Sequence, residues 1–177
     1  MKEKIVLDFS KRKKKGGMVI MGKKENKTNA LRLLEQAGIG YDLHEFNVDE
    51  KILDHQINNN RENVYKTLVT QTNTKEYVVF VVQVDQTLDL KKAAKAVGAK
   101  KIEMVAQKNL LGLTGYVHGG CSPVGMKKSF PTFIGRSCLK YDRILCSAGR
   151  VGLLMEVDRE SLINYVRAKV VDVEMRQ

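Results

Sequence analysis

The residues best able to do chemistry in this 177-residue chain lie between Gly112 and Ser129. Gly112, Gly115, Gly119, Gly120 and Gly125 fall there with Pro123 among them, so the backbone must turn sharply or lie close to another group. Successive N–H groups at Gly119-Gly120 can form an anion nest or an oxyanion hole, and a plain tight turn uses the same pair. A nucleotide-hydrolysing phosphate loop does not fit, because Met126 rather than Lys follows Gly125 and Pro123 lies inside the run. Lys127 and Lys128 just downstream suit either phosphate contact or a solvated face.

Lys66 lies in Val64-Tyr65-Lys66-Thr67-Leu68-Val69. At a period of two it shares a face with the apolar Val64 and Leu68, where a lysine must snorkel, find a partner or serve a substrate; Thr67 points to the opposite face. His118 and Cys121 form a lone H-x-x-C, and His44 and His55 have no matching spacing, so no metal site is expected. Cys121 as a nucleophile would need a base and a depressed pKa, and only His118 is near in sequence. Ser147-Ala148-Gly149-Arg150 ends a strand with small residues and reads as a pocket wall or a turn.

Positioning these residues falls to short elements. Thr28 is an N-cap for a helix over Asn29–Ala37 with Ala30, Leu31, Leu33, Leu34 and Ala37 on one face, stopped by Gly38. Tyr41–Phe46 alternates as a strand, Asp49–Ile57 is a weak helix, and Asn58-Asn59-Asn60 is a turn. Val64–Thr70 and Glu76–Val84 are strands of a hairpin around Thr72-Asn73-Thr74-Lys75. Asp89 caps a helix with Leu90, Ala93, Ala94 and Val97 inward, ended by Gly98. A strand at Lys101–Val105 and a helix at Ala106–Leu111 precede the glycine-rich stretch. Strands at Thr132–Ile134, Arg143–Ser147 and Gly152–Val157 follow it, and Asp158 caps a last helix. Strands outnumber helices without regular alternation, which favours α+β with a mixed sheet.

Hydrophobic residues make up 43% of the chain, enough for one buried core. The longest apolar run, Tyr77–Val82, is far below the roughly 18 residues of a membrane span, and no secretory pattern follows Lys11–Lys15. Cys121, Cys138 and Cys146 are too few for a disulfide framework, which suggests a reducing, cytoplasmic setting. Net charge is +11, of which residues 1–20 carry +5 and the remainder +6, so nucleic acid is a natural partner and a solubilising surface the plain alternative. Residues 1–20 read as a disordered basic tail, or as an upstream start preceding a ribosome-binding-like Lys-Gly-Gly and Met21; residues 21–177 read as one domain.

Several segments together resemble the YbaK/EbsC family of bacterial aminoacyl-tRNA deacylases. They are Lys27-Thr28-Asn29-Ala30, Val64-Tyr65-Lys66-Thr67-Leu68, Leu88 to Lys95, Lys100 to Met104, Thr114 to Gly125 and the turn at Ser147. The resemblance runs from about Lys27 to Asp172. It implies a single α+β domain with a convoluted, mixed, partly barrel-like β-sheet flanked by helices, related to the editing domain of bacterial prolyl-tRNA synthetases. It implies removal of cysteine misattached to proline tRNA, with Cys-tRNA(Cys) a further substrate, no cofactor, and prolyl-tRNA synthetase as a candidate partner.

The resemblance places the critical Lys-Thr pair at Lys66 and Thr67, and Lys66 and Gly119 as the catalytic positions. Phe46, Thr67, Gly120, Ser122, Pro123, Ser147 and Gly149 are the expected substrate-binding positions, and Lys127, Lys128 and Arg150 are candidate tRNA contacts. Two positions depart from the family: Phe46 stands where a Tyr is typical, and Leu154 where an acid is. The implied reaction is attack by the cysteinyl sulfur on its own ester carbonyl, releasing tRNA and a cyclic thioester. A thiol of pKa about 8.5 supplies some thiolate at neutral pH. Holding it in a near-attack pose contributes roughly 7 to 11 kcal/mol, less the strain of a four-membered ring. An oxyanion donor such as the Gly119 N–H adds about 3 to 4 kcal/mol. This requires Lys66 and Gly119 to open onto a shared cavity. The alternatives are a deacylase that uses water on another mischarged tRNA such as Ala-tRNA(Pro), and a non-catalytic RNA-binding or regulatory module.

Overall fold

The computed structural model describes residues 27–45 and 62–176. The expected basic tail, the helix at Asp49–Ile57, the Asn58–Asn60 turn and Phe46 lie outside the described residues.

Helix α1 (Asn29–Gln36) starts where the Thr28 hydroxyl accepts the Leu31 N–H, and it buries Ala30, Leu31 and Leu34. Strand β1 (Tyr41–Glu45) follows. Strands β2 (Tyr65–Thr72) and β3 (Tyr77–Gln83) form the expected hairpin, in register from Tyr65–Gln83 to Gln71–Tyr77. In β3, Val79 and Val81 join one apolar cluster while Val78, Phe80 and Val82 join another. Burial on both faces is why this strand reads as an unbroken apolar run. A short β4 (Gln86–Leu88) leads to Asp89, whose carboxylate caps α2 (Leu90–Val97) through the Lys91 and Lys92 N–H groups. Ala93 and Ala94 are buried as expected, but Leu90, at the first position of the helix, is 39% exposed.

After β5 (Ile102–Met104), α3 spans Gln107–Thr114. The helix was expected to stop at Leu111 and the glycine loop to start at Gly112. Instead Gly112 is helical, and the Thr114 hydroxyl bonds back to the Leu110 carbonyl before Gly115, in the left-handed region, ends the helix. Strand β6 (Thr132–Gly135), a 3₁₀ turn (Arg136–Lys140), β7 (Arg143–Arg150), β8 (Leu153–Asp158) and α4 (Arg159–Val166) complete the expected order. Strand β7 runs three residues past the expected end at Ser147, with its pairing to β8 shifted between Ser147 and Arg150. The short strands β9 (Lys169–Val171) and β10 (Glu174–Arg176) were not expected.

The main sheet has the order β5-β2-β3-β6-β9, with β3–β6 and β6–β9 parallel and the other pairs antiparallel. A three-stranded sheet β1-β8-β7 is fully antiparallel, and β10-β4 form a small ribbon. A parallel bridge between Val64 and Leu145 brings β2 alongside β7 and joins the two larger sheets. The larger core lies between the main sheet, the three-stranded sheet, α1 and α4. The smaller packs α2 and Val173 on the other face of β3, where Phe80 stacks on Phe133 with centroids 5.4 Å apart.

Candidate active site

Three segments distant in sequence meet at one end of the β7–β8 pair. The loop after α3 turns at Gly119, where φ is +80°, and then presses against the β7–β8 turn. A Cβ on Gly120 would sit 2.9 Å from the Val151 backbone nitrogen and 3.1 Å from the Arg150 carbonyl carbon, so only glycine allows this approach. Further along, Ser122 and Pro123 are buried, and the Ser122 hydroxyl accepts the Val124 N–H, bracing the loop from inside. The N-terminus of α1 closes the cluster. The Thr28 hydroxyl donates to the Ala148 carbonyl of β7, and the Asn29 amide donates to the Gly125 carbonyl at 2.8 Å. Tyr116 lies between them and donates its phenol to the Val124 carbonyl at 2.6 Å; burial pushes that phenol up to about 12.

The two glycine N–H groups are not equivalent. Gly120 N–H donates to the Val117 carbonyl at 3.0 Å. Gly119 is exposed, and its N–H meets no acceptor among the described residues. On β7, Ser147 is 9% exposed and its hydroxyl accepts the Gly149 N–H at 3.1 Å.

A single parallel bridge joins Val64, just before β2, to Leu145 on β7, two residues ahead of Lys66 and of Ser147 in their own strands. Thr67 points away from the Lys66 side of β2, as expected, into the face that holds Tyr65 and Val69. Its hydroxyl is buried with no hydrogen-bond partner among the described residues. The Lys66 amine donates to the Val84 carbonyl at 3.2 Å, across the end of the β2–β3 hairpin. On the other side of Ser147, the pairing runs to Leu154 on β8 and on to His44 on β1.

A cavity of about 380 Å³ opens elsewhere, lined by Gln83, Ser137, Tyr141 and Glu174 among others, and none of the expected site residues lines it. Arg150 is exposed and pairs with Glu45 at 3.0 Å, while Lys127 and Lys128 are exposed, with the Lys127 stem packed over Gly115. Burial pushes the Cys121 thiol up to about 11, against any role as a nucleophile, and His118 is exposed. No group of three metal-ligating side chains occurs among the described residues, and no helix among them is long and apolar enough to cross a membrane. Sequence reasoning missed Tyr116 and Asn29, which hold the loop; a tyrosine inside a glycine-rich stretch was the available signal.

The mixed α+β domain is that of a known family. Residues 53–165 match the aminoacyl-tRNA editing domain, and the chain belongs to that family of enzymes acting on mischarged aminoacyl-tRNA. Over 160 residues it is 38% identical to a protein of Enterococcus faecalis named "Putative Cys-tRNA(Pro)/Cys-tRNA(Cys) deacylase EbsC", covering 88% of this chain and 98% of that one. It also superposes on a solved structure titled "Crystal structure of a putative trans-editing enzyme for prolyl tRNA synthetase", with TM-score 0.73 and 23% identity over 85% of this chain and 99% of that one. A hypothetical protein of known structure gives TM-score 0.75 at 19% identity, covering 84% and 100%. At these identities the two structures bear on the fold alone.

Proposed function

We propose that the protein deacylates tRNA mischarged with cysteine, chiefly Cys-tRNA(Pro), by attack of the substrate's own thiol on its ester. The observation that carries this reading is the Gly119–Gly120 loop. Its backbone is fixed against Arg150–Val151, and it presents the Gly119 N–H, without a partner among the described residues, on the exposed side of the loop. Such a donor, held in place before substrate arrives, stabilises the oxyanion of a tetrahedral intermediate without reorganising. The name of the Enterococcus relative supports the same reading, since its two tRNAs share one amino acid, cysteine. Recognition then falls on the cysteinyl ester more than on the tRNA body.

The cysteinyl sulfur attacks the ester carbonyl carbon and the bond to the ribose oxygen breaks, leaving free tRNA and a four-membered thioester. Gly119 takes the oxyanion. On this reading the Lys66 side chain, which donates to the Val84 carbonyl at 3.2 Å, swings to the ester and carries charge at the tRNA 3′ end. The Thr67 hydroxyl is buried on the opposite, core-facing side of β2, so its contribution is to the strand that carries Lys66 rather than to a substrate contact. Lys127, Lys128 and Arg150 would meet phosphates at the exposed rim, and prolyl-tRNA synthetase is the partner this substrate suggests.

Proline tRNA charged in turn with cysteine, alanine and serine tests the reading. Rapid loss of cysteine alone is expected, because alanine lacks a nucleophile and a serine hydroxyl is far less acidic than a thiol. Equal release of alanine would overturn thiol attack in favour of water.

A further inference from the structure

We propose that His44 is a catalytic proton-transfer residue of this site; the inference rests on the deacylase reading above. Paired residues on neighbouring strands project to the same face, so the pairs His44–Leu154 and Leu154–Ser147 set three side chains in one row across three strands. Strands lie about 4.8 Å apart, which puts the His44 backbone roughly 10 Å from that of Ser147, with Leu154 between them. That span is too long for a direct histidine–serine bond. It is the right size for a small aminoacyl ester lying over Leu154, with its carbonyl toward Ser147 and its sulfur toward His44. An apolar floor at Leu154 suits a thiol.

The imidazole is held as a base must be held. His44 Nε2 lies 2.8 Å from Glu156 Oε2, and both side chains are 21% exposed. Glu156 projects from the same face two residues beyond Leu154, and the Arg143 guanidinium braces it, with Nε 3.6 Å from its other oxygen and Nη2 donating to its carbonyl. Arg143 is itself tied to Asp42 at 2.7 Å. With Nε2–H given to the carboxylate, Nδ1 carries the lone pair, which is the tautomer of a proton acceptor oriented by a third group. His44 Nδ1 takes the proton as the S–H bond breaks and the S–C bond forms. It returns that proton to the ribose oxygen as the C–O bond breaks. The enzyme ends the cycle in its starting protonation state, and nothing is oxidised or reduced. The chain thus carries a base one strand away from Leu154, the position where an acid was expected.

His44→Gln keeps an amide N–H for Glu156 and removes the base. Its turnover of Cys-tRNA(Pro) is expected to fall roughly 100-fold, with an unchanged urea midpoint and partial rescue by added imidazole. A second substrate, the same tRNA carrying selenocysteine, separates proton transfer from support of the fold. A selenol is already ionised at neutral pH, so the loss should shrink at least tenfold. His44→Gln turnover within twofold of the unsubstituted protein, or an equal loss with both substrates, overturns the inference and leaves the deacylase reading standing. Unsubstituted protein that leaves Cys-tRNA(Pro) intact overturns both.

Discussion

Lys66 and the glycine pair separate what a residue does for catalysis from what it does for the fold. Lys66 is held in β2 by backbone pairing to β3 that its substitution leaves in place, so Lys66→Ala should abolish most Cys-tRNA(Pro) deacylation and leave the circular dichroism spectrum unchanged. Unchanged turnover would remove Lys66 from the mechanism. Gly119 and Gly120 differ in why they are glycine. A Cβ at Gly119 meets only Val151 Cγ2, at 3.8 Å, so Gly119→Ala carries a conformational cost of about 1 kcal/mol at positive φ. A Cβ at Gly120 collides with the Arg150–Val151 backbone, so Gly120→Ala must push the loop away. It should destabilise by roughly 1 to 3 kcal/mol and disable deacylation. Urea denaturation of the two variants side by side checks the difference. The sequence marked both glycines, but it could not tell a strained φ from a close approach, because the second depends on a turn some 30 residues away.

Among the elements, α1 and β10 hold the scaffold through single polar side chains. Thr28 caps α1 and also ties it to the end of β7, so Thr28→Ala removes a cap and a bond across 120 residues. We expect a loss of about 1 to 2 kcal/mol, read from the urea midpoint. The cap was legible in the sequence; the tie to Ala148 was not, since it needs the tertiary fold. Glu174 on β10 accepts from Gln83 N at 2.8 Å, Ser137 N at 3.0 Å and the Ser137 hydroxyl at 2.7 Å. Ser137 in turn meets the Tyr65 phenol at 2.9 Å, and burial, with Glu174 adding its charge, pushes that phenol far above its ordinary range. Glu174→Ala would strand two backbone donors and should cost roughly 3 kcal/mol by thermal melting. β10 itself escaped the sequence reading because three residues ending in Met-Arg show no alternation long enough to register. The long apolar β3 and the capped α2 were plain, since cap chemistry and period are local properties.

For the whole molecule, the α+β class and the order of the longer strands followed from local pattern, whereas the joining of the two larger sheets through Val64 and Leu145 rests on contacts 81 residues apart. The row from Ser147 to His44 is likewise a property of the assembled sheet. His44 in the sequence is one polar residue in an alternating strand. The net charge of +11 predicts that tRNA is held largely through phosphates. Raising salt from about 50 to 200 mM should weaken binding at least roughly tenfold, as read by filter binding, and Lys127→Ala with Lys128→Ala should flatten that dependence. The central claim is that the substrate supplies its own nucleophile. The most direct measurement is the single-turnover rate on tRNA(Pro) charged with cysteine against the same tRNA charged with S-methylcysteine. Rapid release of cysteine with S-methylcysteine retained is the predicted result. Comparable release of both would contradict it.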